Sequence, residues 1–313
     1  MADYNILDLH AAGSLAGWQP KREDIAAYHA SLGPMGQFKT AAPAIQDSGK
    51  GKIVLLHEFY REVVDPQCRS HNQGNYGTCV SQGWGMGVDV LQASEIKAGK
   101  REKFAAKAST EYIYAISRVE IGRGGCGWGD GSNGAWAAEG VVKYGTLHRM
   151  KYLDGKYDLT NYSGEISRRW GAPRAGAPDE LEPIGKEHPV KTVSPVRSYE
   201  EARDAIANGY PVPVCSNYGF RSVRDKDGFA RPSGSWSHCM LFVSVDDEYS
   251  RPGLLCWNSW GEDWISGPTR HNQPSGSFWV DAEVADAMLR QDDSYAMSGY
   301  TGFESQDLDY RLF

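Results

Sequence analysis

Asn72-Gln73-Gly74-Asn75-Tyr76-Gly77-Thr78-Cys79 is the stretch on which the reading of this chain turns. An amide side chain precedes a cysteine across a glycine-rich turn. Beyond it, Val80, Trp84, Val88 and Leu91 recur at helical spacing, which predicts that Cys79 opens a helix. Unsatisfied N–H groups and positive dipole charge at that end favour a thiolate. A free thiol with a pKa of ~8.5 is only a few per cent ionised at neutral pH, so a nucleophilic cysteine needs a base. His238, in Ser237-His238-Cys239, supplies a candidate. Asn258, in Trp257-Asn258-Ser259-Trp260-Gly261, follows it by 20 residues. Gly83, Gly85 and Gly87 fall inside the predicted helix. Each weakens a helix interior by up to ~1 kcal/mol relative to Ala, so this helix is expected to be central, with neighbouring backbone packed close against it.

Gln73, Cys79, His238 and Asn258 stand in one order, each in its own local motif, and over residues 60 to 290 the chain resembles the papain-like cysteine peptidases. The resemblance implies an α+β, two-lobed fold. A helical first lobe carries the cysteine, an antiparallel β-barrel-like second lobe carries the histidine and asparagine, and the cleft lies between. It implies Cys79 as nucleophile and His238 as the proton carrier. Asn258 would orient the imidazole, and Gln73 would donate to the oxyanion. Trp260 would cover the His–Asn bond. For substrate binding it points to Asp130, Gly131 and Ser132 of the glycine-rich loop, with Trp236, Cys239 and Trp260 from the second lobe. His71 reads as a turn or surface residue rather than a second base. Ser237 stands where many family members carry an acidic residue. No cofactor is expected. No metal is expected either, because no second Cys or His pair has ligand spacing.

Composition narrows the class. The 313 residues are 41% apolar, enough for a substantial core. A net charge of −7 argues against nonspecific nucleic-acid binding. No run of about 18 apolar residues is present, so no membrane span is expected. The start lacks a basic region followed by an apolar run, so no secretory signal is expected. The six cysteines are Cys68, Cys79, Cys126, Cys215, Cys239 and Cys256. Cys239 and Cys256 sit in apolar strand-like runs, where cysteine behaves as a small hydrophobe. Secreted family members place a disulfide-forming cysteine where this chain has Tyr76. A reducing, cytoplasmic or virion-associated setting without disulfides is therefore expected.

Along the chain, residues 1–58 read as an N-terminal arm that packs on the body or on a neighbour, with a short helix over 20–30. Residues 59–189 read as the helical lobe, with helices opening at Ser109 and over 135–144, and an irregular connection over 150–190. Residues 190–290 read as the β-rich lobe. Ser198-Tyr199-Glu200-Glu201 is a capping box there, and strands are expected over 211–215, 239–245, 253–257 and 277–280. Residues 291–313 form a polar tail. Other readings fit the same residues. One is a structural or binding component of a larger assembly, such as a phage particle, joined to protein partners through residues 1–58 and 291–313. Another is an amidase or peptidoglycan endopeptidase using the same Cys–His pair. The leading expectation is a peptidase acting on a polypeptide substrate.

Overall fold

Cys79–Lys97 is a helix, and every residue from Cys79 to Ser94 is buried. The computed structural model describes residues 17–33, 36–101, 103–306 and 308. The three glycines of this helix face three different neighbours. A methyl on Gly83 would lie 3.0 Å from the Met240 carbonyl oxygen, one on Gly85 2.6 Å from Thr110 Cγ2, and one on Gly87 2.8 Å from Met297 Cε. Close approach on several sides therefore offsets their poor helix propensity.

The strand partners of that helix form a five-stranded antiparallel sheet. Its strands are β1 (Ile53–Leu55), β5 (Val212–Arg224), β6 (Ala230–Asp246), β7 (Gly253–Trp257) and β8 (Ser277–Asp281); β2 to β4 are small strands outside it. β6 is the hub. It pairs with β1 through Val54–Val245, with β5 through Cys215–Cys239 and Ser216–His238, and with β7 through Leu241–Trp257. The sheet is open, so the barrel-like closure expected from the sequence is not reached. Residues within the expected arm contribute β1 directly to this sheet.

The first helix among the described residues is Arg22–Leu32, two residues later than the sequence suggested. Backbone pairing of Gln19 with Ser132 keeps the chain extended up to that point. Helix Thr110–Ala115 is capped by Ser109, and Gly134–Lys143 by Asn133. The stretch expected to be irregular holds a hairpin, β2 (Lys151–Tyr152) with β3 (Tyr157–Asp158), and a helix, Gly164–Trp170, capped by Ser163. These close over a small second core that includes Tyr112, Leu147, Leu159 and Trp170. The tail is anchored. β9 (Tyr295–Ser298) pairs with β4 (Thr192–Pro195), and all four of its residues are buried. Among the described residues no helix is long and apolar enough to cross a membrane. The six cysteines are free thiols.

Candidate active site

Cys79 is the first residue of the central helix and is fully buried. The turn before it is stitched to the segment that follows β7. Gln73 N–H donates to Ser259 O at 2.9 Å and Gly261 N–H to His71 O at 2.8 Å, while Asn72 and Trp260 form an antiparallel bridge. Ser259 Oγ donates to Gln73 Oε1 at 2.7 Å, which fixes the amide with its nitrogen on the other side. That nitrogen donates to Tyr76 O within the turn at 2.7 Å. Ser259 lies within the quoted Asn258 motif, but no role was read for it in the sequence. It gains its role only from this long-range pairing.

His238 lies on β6, and its Nε2 is 2.7 Å from Asn258 Oδ1. The same oxygen accepts the Ser259 N–H at 2.7 Å, so it is an acceptor and Nε2 carries the proton. In the neutral ring Nδ1 is then the nitrogen able to take up a proton. The Trp260 ring lies against the imidazole, with centroids 4.6 Å apart and planes tilted by 39°. Trp236, almost fully buried, packs behind Trp260 at 4.6 Å. The backbone N–H of Cys239 reaches the Cys79 sulfur, which places the backbone next to His238 against the thiol. The Cys239 side chain turns into the interior, its sulfur facing Gly83.

Burial pushes the Cys79 thiol well above its ordinary pKa, and Cys239 adds to the effect. The N–H groups of Cys239, Gly17 and Val80 pull the other way. His71 is partly buried beside the turn, its Nδ1 3.0 Å from Gln82 Oε1. Burial, helped by Arg149 and Lys107, drives its pKa down to about 3. It is a neutral structural residue at ordinary pH. Among the described residues no group of three or more His, Cys, Asp or Glu is gathered as a metal ion would require.

Asp130, Gly131 and Ser132 line the approach to this site. Asp130 Oδ2 accepts the Gly77 N–H at 3.2 Å and pairs with Arg168 at 2.8 Å. Burial alone would raise this carboxyl, but Arg168 and the Gly77 N–H hold it below its ordinary value. Gly131 has φ 114°, backbone that favours glycine. The loop takes its shape from a residue that sequence reasoning missed. Arg118, 3% exposed, donates to the carbonyls of Gly127, Gly129, Gly131 and Gly171. A cavity of about 290 Å³ is bordered by Trp128, Gly129 and Asp130 of the loop and by Arg168 and Arg169.

The cleft is occupied by the chain's own residues 17–19. Gly17 and Trp18 N–H both donate to Ser237 O at 3.0 Å. Gln19 N–H donates to Ser132 O at 2.7 Å, and Ser132 N–H to Gly17 O at 2.8 Å. Trp18 is buried, and its Nε1 donates to Asp293 Oδ2 at 2.7 Å. Gly17 lies against the Cys79 thiol, while its N–H is held by Ser237 and its carbonyl oxygen by Ser132. The arm therefore sits in the cleft without offering that carbonyl for attack. Neither Trp18 nor Asp293 stood out in the sequence.

No family model matches the sequence, and no curated protein matches it. Among solved structures, xylellain, a cysteine protease from Xylella fastidiosa, is similar over 90% of this chain and 91% of its own, at 17% identity and a TM-score of 0.52. Digestive procathepsin L 3 from the larval midgut of Tenebrio molitor aligns over 95% and 94%, at 14% identity and a TM-score of 0.46. The helix that opens on Cys79, the antiparallel sheet bearing His238 and the likeness to xylellain together give this chain the α+β fold of the papain-like cysteine proteases.

Proposed function

We propose that this chain is a cysteine peptidase cleaving peptide bonds through a thioester acyl-enzyme. Cys79 is the nucleophile, His238 the proton carrier, Asn258 the orienting group and Gln73 an oxyanion donor. The observation that carries this reading is the His238 Nε2–Asn258 Oδ1 bond, together with a cysteine at a helix N-terminus. His238 takes the thiol proton, and the thiolate adds to the substrate carbonyl carbon. The oxyanion accepts from Gln73 Nε2–H and Cys79 N–H; losing one such donor typically raises a barrier by ~2.7–4 kcal/mol. The tetrahedral adduct expels the amine, which takes its proton from His238. His238 then deprotonates water, which hydrolyses the thioester and restores the thiol. Asn258 holds the imidazole without adding charge, and Trp260, backed by Trp236, keeps water from that bond.

A substrate strand takes the place of residues 17–19, pairing with the backbone of Gly131 and Ser132 on the loop held by Asp130. The arm must leave first, and its departure also relieves the burial that suppresses the thiolate. The test uses full-length protein, wild type and Trp18→Ala, with a thiol-directed epoxide inhibitor under reducing conditions. One adduct on Cys79, absent in Cys79→Ala and accompanied by Cys79-dependent peptide cleavage, is expected. An unlabelled Cys79 in Trp18→Ala, with no loss of cleavage in Cys79→Ala, would refute the reading.

A further inference from the structure

We propose that the Trp18 socket is a substrate side-chain site selecting a bulky side chain with a hydrogen-bond donor at its tip, and that Asp293 is the specificity-determining residue reading that donor. The inference rests on the peptidase reading of the cleft. The socket opens on the strand position beside Ser132, since Trp18 forms a parallel bridge with that residue. Whatever chain replaces the arm along Ser132 can present one side chain to the same space.

The chemistry of the socket is set at its base. Asp293 is fully buried. Its carboxylate accepts the Gly134 N–H at 2.7 Å, the Ala135 N–H at 2.8 Å, the Tyr295 hydroxyl at 3.1 Å and the Trp18 indole N–H at 2.7 Å. Three of these donors belong to the body of the protein and stay when the arm leaves. The fourth departs with Trp18 and leaves a buried carboxylate lacking one donor. With Trp18 in place burial pushes this carboxyl up to about 6, the Trp18 bond being the foremost opposing contact; loss of the indole pushes it higher still, and a donor that takes the indole's place restores the carboxylate. An incoming Phe or Leu would fill space and leave the acceptor unmet. Tryptophan, or a lysine or arginine whose stem replaces the ring, would meet it. Hydrogen bonds to a charged group and the penalty for an unmet buried acceptor together set a discrimination of about 10- to 100-fold.

The test uses two peptide series on the full-length Trp18→Ala chain. They differ only in carrying tryptophan or 3-benzothienylalanine, the same bicycle with sulfur in place of N–H. Cleavage is read as kcat/KM, and binding is read separately on Trp18→Ala/Cys79→Ala by fluorescence anisotropy. A preference of about 10-fold or more for tryptophan in either readout supports the socket. Equal kcat/KM and equal affinity for the two peptides overturn it. If no peptide is cleaved while tryptophan peptides still bind more tightly, the peptidase reading fails and the socket stands as a binding site. Because both peptides meet one protein, loss of stability in the variant cancels. An independent measurement is Trp18→Phe in the otherwise intact chain. It keeps an aromatic ring and removes the donor, so labelling of Cys79 should rise about 10- to 100-fold; a rate equal to wild type would overturn the role of Asp293.

Discussion

Gly17→Ala should open the cleft. A methyl there would overlap the Gly77 carbonyl oxygen and lie 2.6 Å from the Gly77 carbonyl carbon. Gly77 cannot easily yield, because its N–H is held by Asp130. The clash is with fixed backbone rather than with the end of a flexible side chain, so the effect is steric. The arm must therefore lift, and its docking energy sets the size of the change. Trp18 is 2% exposed, and losing a buried tryptophan's packing costs ~3–5 kcal/mol. Taking ~3 kcal/mol, at ~1.4 kcal/mol per decade, gives about a 100-fold rise in the open population. The assay is the labelling rate of Cys79 by a small thiol reagent, with the adduct located by mass spectrometry and Cys79→Ala as the blank. Labelling of Gly17→Ala at the wild-type rate, in protein with an unchanged far-ultraviolet spectrum, would show that the arm does not guard the thiol.

Asp89 is buried in the central helix. One oxygen accepts the Ala108 N–H at 2.7 Å, and the other has no hydrogen-bond partner among the described residues. Burial pushes this carboxyl up to about 7, above its unfolded value of ~3.8, so the folded chain holds a proton that the unfolded chain releases and stability falls as pH rises through that window. Asp89→Asn should gain up to ~4 kcal/mol over wild type at pH 8 and little at pH 4, measured by urea unfolding; a gain independent of pH would contradict this. Arg118→Lys replaces a planar fork reaching four carbonyls with a single ammonium, so amides of residues 127–131 should exchange hydrogen about 10-fold faster; unchanged exchange would mean the loop holds its own shape. Gly83→Ala places a methyl 3.0 Å from a backbone oxygen of β6. Overpacking of ~1–3 kcal/mol, partly offset by better helix propensity, should lower the melting temperature by a few degrees; a rise would show the helix has room to move.

The parts of the fold that were legible in the sequence were those with local causes. The run after Cys79 has helical period, and Ser109 and Ser198 are ordinary cap residues, so their helices appear where expected. β5 and β6 run well beyond the expected strands, because the outer part of their hairpin is polar and largely exposed and lacks an alternating apolar signal. The helix capped by Ser163 was hidden among Gly, Pro and charged residues and is stabilised by packing of Trp170 into a small core. At the site, Gln73, Cys79, His238 and Asn258 could be picked out because each lies in a compact motif. Ser259 and the Trp18–Asp293 pair act across distances in sequence that no window spans, while Arg118 bonds to backbone carbonyls, which carry no residue signature. The arm was expected only to pack somewhere on the body or a neighbour. Its place in the cleft depends on backbone hydrogen bonds, which any residues can make.

Asp293 also sets an order in time. Translation releases residues 17–19 first, then Cys79, then His238 and Asn258, and only afterwards the carboxylate that holds Trp18. On a growing chain every member of the proposed catalytic set therefore precedes the anchor of the segment that covers it. Backbone pairing of the arm with Ser132 and Ser237 can form before that anchor arrives, whereas the indole contact cannot. The contact that fastens the cover is therefore made only after every residue it covers has been synthesised.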